Sequence, residues 1–220
     1  MMKRRHFTAQ VLGSATAAAF GLAAAPTARA QAKFVEGTHY VRLAQPLAVP
    51  GDGKIDVIEF FWYGCPHCNS FEPMLDAWSK KLPPDVAFRR VPVAFREEPF
   101  VPHQRIYYAL EALGLVEQMH RRVFFAIHNE RLRLDKPQDI AAFMAKHGVD
   151  SAKFLDAYNS FGVQTKQRQA RQLAEAYKID GVPSIGVHGR WFTSGTLAGS
   201  LDRSLAVADH LIGLARSAKR

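Results

Sequence analysis

Cysteine is scarce in this chain: only two occur in 220 residues. That excludes the disulfide scaffold that holds many small exported domains together. Long apolar runs are also missing after residue 30, so no later segment is long enough to span a bilayer. Acidic residues are absent from the first thirty positions, where Lys3, Arg4, Arg5 and Arg29 supply all the charge. Taking those four from the formal net charge of +9 leaves +5 on the rest, too little and too scattered to argue for nucleic acid. Repeats and low-complexity tracts are lacking beyond Ala30. With 48% hydrophobic and 22% charged residues, the chain suits one packed globular domain, or one domain carrying an insertion. The basic clusters Arg121-Arg122, Arg131/Arg133 and Lys166/Arg168/Arg171 fall on helix-like stretches and read as solvated faces.

The first thirty residues have the layout of an export signal. Lys3-Arg4-Arg5 is a positive leader, Ala9 to Ala25 an apolar run, and Ala28-Arg29-Ala30 a small-residue cleavage site. Cleavage after Ala30 would start the mature chain at Gln31, and cutting after Ala32 is a close second. An uncleaved membrane anchor is the alternative, disfavoured by the short apolar run and its interruption at Gly13, Ser14 and Thr16. Arg4-Arg5-His6-Phe7 partly matches the twin-arginine export pattern, with Lys3 before the pair and Thr8-Ala9 where Leu-Lys is typical.

Both cysteines lie in Cys65-Pro66-His67-Cys68. A bridge across two residues closes a tiny loop and restricts the unfolded chain little, so it is a poor staple. As a reversible electron store it is well suited, since both thiols stay adjacent after reduction. Ile55 to Tyr63 is apolar, β-branched and aromatic apart from Asp56 and Glu59, and reads as a buried strand. Gly64 supplies a turn, Pro66 suits a first helical turn, and Phe71, Met74, Leu75 and Trp78 recur at helical spacing to about Leu82. Pro73 is expected to kink that helix. Cys65 therefore sits at a helix N-terminus, where free N–H groups and the dipole favour a thiolate. His67 adds a positive charge or an N–H donor. Both lower the Cys65 pKa and make it the exposed, reactive thiol, with Cys68 deeper. A zinc half-site is the competing reading, but no second Cys pair or nearby His pair supplies the other two ligands.

The stretch Glu59-Phe60-Phe61-Trp62-Tyr63-Gly64 followed by Cys65-Pro66-His67-Cys68 closely resembles the active-site strand and motif of the DsbA family of periplasmic dithiol oxidases. Gly181-Val182-Pro183-Ser184 resembles the loop carrying that family's cis-proline, and Pro99 to about Gly162 is helical in pattern, as the family's inserted domain would be. The resemblance covers nearly the whole mature chain. It implies an α/β thioredoxin fold with an inserted helical domain: signal at 1–30, thioredoxin-like parts at 31–98 and 163–220, insertion at 99–162. It also implies a Cys65–Cys68 redox disulfide serviced by Pro66 and His67. Glu59 is implied as the buried acid that exchanges a proton with Cys68, and Val182 and Pro183 as the substrate-facing loop. Glu72 and Arg90 would complete a charge cluster beneath the motif, although the family usually has Lys where Arg90 falls. No metal or organic cofactor is needed. The partners implied are reduced, newly exported polypeptides and a DsbB-like quinone-linked membrane protein as reoxidant, with the chain a periplasmic monomer. Two rivals stand beside this. Disulfide isomerases on the same fold generally carry a dimerisation domain, for which the residues before Lys33 leave no room. A peptide-binding chaperone or metal-binding module would make the thiols incidental.

Elsewhere, Tyr40–Leu43 is a possible short edge strand and Val86–Phe95 the second main strand. Helices are expected near Pro102–Leu113, Leu115–Asn129, Pro137–Lys146, Ala152–Ser160 and Val163–Tyr177. A hairpin of Ile185–Val187 and Arg190–Thr193 turns at His188-Gly189, and Gly199–Ala218 forms a terminal helix. His103, His120, His128 and His147 lie on helical stretches without ligand spacing. Phe124, Phe125, Ile127, Phe143 and Met144 read as core.

Overall fold

A computed structural model describes residues 34–218. The expected signal segment at 1–30 and its cleavage site at Ala30 lie outside the described residues. In chain order the elements are β1 (Val41–Arg42), β2 (Ile55–Phe61), α1 (Pro66–Ser79), β3 (Val86–Pro92), α2 (Phe100–Ala112), α3 (Val116–His128), α4 (Pro137–Lys146), α5 (Ser151–Asn159), α6 (Phe161–Ala176), β4 (Ser184–Val187), β5 (Trp191–Ser194), α7 (Gly195–Ala198) and α8 (Leu201–Ala218). The strands form one mixed sheet in the order β1-β5-β4-β2-β3, in which only β2 and β3 run parallel. That parallel step needs a crossover, which α1 supplies. Helices α2 to α6 are inserted between β3 and β4, giving an α/β thioredoxin fold with a helical insertion.

All seven residues of β2 are buried, including Asp56 and Glu59. A strand covered on both faces has no solvent side, which explains its nearly continuous apolar run. Below one face, Phe71 and Leu75 of α1 pack with Val207, Leu211 and Ile212 of α8 against Ile55, Val57 and Val187. On the other, Phe60, Phe61 and Tyr63 join a second core through Ile106, Leu110, Phe124, Phe143 and Phe154 of the inserted helices. Burying each of these large side chains contributes about 1.5–3 kcal/mol.

Several ends differ from the expected ones for local reasons. Helix α1 runs through the exposed Pro73 as one element and buries Cys68, Phe71, Glu72 and Leu75, a stripe that leaves Met74 37% exposed rather than in the core. Helix α6 starts at Phe161, two residues early, because the Ser160 hydroxyl accepts a hydrogen bond from the Val163 N–H at 3.2 Å. The same serine is the C-cap of α5. The expected terminal helix from Gly199 starts two residues late, at Leu201, because Gly199 takes φ +91° as the cap that ends the short, unexpected α7. Phe125 is 54% exposed and does not join the core, whereas Phe124, Phe143 and Met144 are buried as expected.

The β4–β5 hairpin turns at His188 and Gly189, both at positive φ (51° and 63°), as a primed turn requires. A Cβ on Gly189 would lie 2.5 Å from the Leu47 carbonyl oxygen. Gly148, at φ +77°, has nothing within 4 Å of the same position. Gly148→Ala should therefore cost only the left-handed backbone penalty, about 1–2 kcal/mol, while Gly189→Ala should cost about 3 kcal/mol or more because a backbone atom must also move. Urea titration of the two variants checks the difference, and equal losses would contradict the close approach at Leu47.

Candidate active site

Strand β2 delivers the chain to a tight turn at Trp62-Tyr63-Gly64, closed by a 3.0 Å hydrogen bond from the Cys65 N–H to the Trp62 carbonyl. Gly64 is required there, since a Cβ would lie 2.3 Å from the Trp62 ring. Cys65 is the N-cap of α1, with extended backbone angles, and Pro66 fills the first helical position. Its sulfur accepts a hydrogen bond from the Cys68 N–H at 3.4 Å, and lies 3.4 Å from the Val182 carbonyl oxygen, to which the thiol donates. The Val182–Pro183 peptide is cis, as the resemblance implies. So is Glu98–Pro99, which the sequence reading did not anticipate. Both cysteines are free thiols, so this is the reduced form.

Cys65 is 7% exposed and Cys68 fully buried. Cys65 is thus more enclosed than the sequence suggested, while Pro66 and His67 are exposed. The Cys65 pKa is lowered to about 6. The largest cause is the hydrogen bond from the Cys68 thiol, opposed by burial. The backbone N–H groups of Cys68 and His67 come next, and the His67 charge last. The order departs from expectation, because the partner thiol outranks both the helix terminus and the histidine. Burial, reinforced by Cys65, pushes the Cys68 thiol well above its ordinary value.

Beneath the pair lies a buried cluster of charge. Glu59 of β2 and Arg90 of β3 are register partners across the parallel ladder. The Arg90 Nε is 3.1 Å from Glu59 Oε2, within ion-pair range, yet neither Glu59 oxygen has an aligned hydrogen bond. The guanidinium instead donates from Nε and Nη2 to the two oxygens of Glu72, both at 3.1 Å. Burial, then the Glu72 charge, pushes the Glu59 carboxyl well above the ordinary range; Arg90 only partly offsets this. For Glu72, burial is outweighed by the hydrogen bond from His120 and by Arg90, and its pKa is lowered.

Beside His67, a cleft of about 700 Å³ is lined by Gly181, Val182, Pro183, Phe192 and Leu197 among others. Residues 56–202 match the family described as the DSBA-like thioredoxin domain. The chain belongs to that family. It is 46% identical over 195 residues to the thiol:disulfide interchange protein DsbA of Burkholderia cepacia, covering 88% of this chain and 90% of the relative. To the protein of the same name from Azotobacter vinelandii it is 44% identical over 183 residues, covering 83% and 85%. The crystal structure of Pseudomonas aeruginosa DsbA superposes with a TM-score of 0.81 at 42% identity, over 84% of this chain and 96% of that one.

Within this DsbA-family site, the fold brings together every residue singled out in the sequence: Glu59, Cys65, Pro66, His67, Cys68, Val182 and Pro183, with Glu72 and Arg90 below. Two of the four helical histidines make contacts beside this site that their sequence positions did not show. His120 of α3 is buried, with Nε2 2.9 Å from Glu72 Oε1 and Nδ1 2.8 Å from the Tyr63 hydroxyl. His128 Nε2 lies 2.8 Å from the Tyr63 carbonyl. No spacing marks these contacts, because His120 is 48 residues from Glu72 in sequence. His103 bonds the Arg133 carbonyl at 2.8 Å, an ordinary structural contact. Among the described residues, no group of three or more His, Cys, Asp or Glu side chains is placed to hold a metal ion.

Titrating the reduced protein by thiolate absorbance should give a midpoint near pH 6 for Cys65. Cys68→Ala should raise that midpoint more than His67→Ala does, and the reverse order would contradict the ranking of causes. A stability effect follows. A lowered folded pKa stabilises fully above the unfolded thiol value and is lost as pH falls through the folded one. Cys68, with a raised pKa, opposes this only above the unfolded value. The melting temperature of the reduced form, relative to the oxidised form, should therefore climb as pH is raised from about 6 towards 9. Paired melts of the two forms check it, and a gap that does not change with pH would contradict it.

Proposed function

We propose that this chain is a protein dithiol oxidase that donates its Cys65–Cys68 disulfide to reduced, newly exported polypeptides, in oxidative folding in the periplasm. The observation that carries the reading is the placement of Cys65: at a helix N-cap, with a thiolate favoured near neutral pH, directly against the Val182 carbonyl. A thiol of low pKa is a good leaving group, so a disulfide containing it is readily given up.

In the oxidised enzyme a substrate thiolate attacks Cys65 Sγ and breaks the Cys65–Cys68 bond. Cys68 leaves with the electron pair and, being buried, takes up a proton; the Glu59 carboxyl supplies it. A second substrate thiolate then attacks the substrate sulfur of the mixed disulfide. Cys65 departs as a stabilised thiolate, the substrate has lost two electrons, and the enzyme holds two reduced sulfurs. Reoxidation runs in the opposite sense through a DsbB-like, quinone-linked membrane protein, with Glu59 accepting the Cys68 proton as Cys68 closes on Cys65. Pro66 starts the helix, His67 adds a donor at its mouth, and Val182 and Pro183 present backbone to an extended substrate strand. The chain acts as a monomer after removal of the signal at 1–30, with an insertion at 99–162 between thioredoxin-like parts at 31–98 and 163–220.

Equilibration with glutathione should leave the protein largely dithiol where an ordinary structural disulfide would be oxidised. With reduced, unfolded substrate, the wild type should form bonds rapidly, and Cys65→Ser should abolish this. Cys68→Ser should accumulate mixed disulfides through Cys65 on non-reducing gels. Correction of scrambled bonds without net oxidation would indicate an isomerase, and neither activity would leave a binding module. Either outcome overturns the proposal.

A further inference from the structure

The exchange described above makes no use of His120, yet this side chain is among the most enclosed polar groups in the molecule. It is 4% exposed and packed by the rings of Phe61, Tyr63, Tyr107 and Phe124. Both ring nitrogens are used, and their partners fix the tautomer. The Tyr63 phenol, its pKa pushed well up by burial, keeps its proton and donates to Nδ1. Nε2 then carries the hydrogen and donates to Glu72 Oε1. Burial also pushes the imidazole pKa down against the pull of Glu72, so a neutral ring satisfies both bonds.

The consequence appears on the far side of Glu72. Arg90 Nε stands 3.1 Å from a carboxylate oxygen of Glu59 and 3.1 Å from one of Glu72, but its N–H is aligned only with Glu72. With Glu72 clamped by His120 in the plane that accepts both arms of the fork, the guanidinium stays bidentate there. Glu59, equally near, meets the same Nε at a poor angle, within ion-pair range but without the aligned fork that Glu72 accepts.

We propose that His120 is a positioning residue for the thiol–disulfide exchange: by holding Glu72 from α3 it keeps the Arg90 fork off Glu59, leaving the Glu59 carboxyl free to take and return the Cys68 proton. This rests on Glu59 being the partner for that proton. The groups that act on Glu59 are Arg90 from β3, Glu72, Cys65 and Cys68 around α1, Tyr63 after β2 and Tyr107 from α2. Across the ladder, β4 brings only the uncharged Ile185. Without the His120 donor, Glu72 loses its orientation, and the Arg90 N–H turns to its register partner Glu59. A charge-assisted hydrogen bond there favours the carboxylate and makes Glu59 a weaker base.

The test uses full-length mature protein carrying a Cys65–glutathione mixed disulfide, with the rate of glutathione expulsion by Cys68 followed across pH. Wild type should show a limb on the acid side that disappears in Glu59→Gln. His120→Leu should move that limb down by about one pH unit and lower the plateau several-fold. His120→Gln, whose amide can donate to Glu72 and accept from Tyr63, should follow wild type. The shift should be absent from the double variant His120→Leu/Glu59→Gln. If His120→Leu fails to fold, His120→Met replaces it: its thioether cannot donate to Glu72, and the limb should move in the same direction. A His120→Leu or His120→Met limb in its wild-type place, with only a lower melting temperature, would reduce His120 to packing and overturn the inference. So would His120→Gln behaving like His120→Leu. A limb that survives Glu59→Gln would instead remove Glu59 from the reaction, and the inference with it.

Discussion

One guanidinium stands between two buried carboxylates. Arg90 carries one charge against the two acids Glu59 and Glu72, and burial pushes down the pKa of His120, the other basic side chain bonded into the cluster among the described residues. An unbalanced carboxylate in an enclosed site is costly, and the cheapest relief is to keep a proton. The fork on Glu72 decides which acid keeps it. Glu59 is thus the acid whose pKa burial and the Glu72 charge push up, and it lies beneath the two sulfurs.

The two sulfurs are tuned in opposite directions by the same short helix. Cys65, at its mouth, collects the N–H groups of residues 67 and 68, while Cys68, one turn in, is governed first by enclosure and then by the neighbouring sulfur. A negative Cys65 also raises the pKa of Glu59. Forming the thiolate above therefore tightens the hold on the proton below. Charge on the pair and proton on the carboxyl rise and fall together, so neither has to be desolvated alone.

Much of this was legible in the sequence because its causes are local. The β2 run, the glycine turn and Pro66 dictate a strand feeding a helix with Cys65 at its start, and resemblance to a known motif added Glu59, Glu72, Arg90, Val182 and Pro183. The rest depended on the third dimension. His120 looked like any helical histidine because its partners come from the turn after β2 and from α1. The dominance of the Cys68 thiol over His67 was hidden because distance to a sulfur, not formal charge, sets it. Phe125 was misread because a run of aromatic residues on one helix must put some of them outward.

Ser160 ends α5 and begins α6 with no residue to spare. Helix α6 then runs 16 residues, about 24 Å, as one rod. The chain passes between the sheet and the inserted helices at just two places, residues 93–99 and residues 177–183, both without regular structure. The second of these carries Val182, whose carbonyl meets the Cys65 sulfur. The inserted helices are therefore tied closely to the Cys65 sulfur: α6 ends at Ala176, six residues before the carbonyl to which that thiol donates.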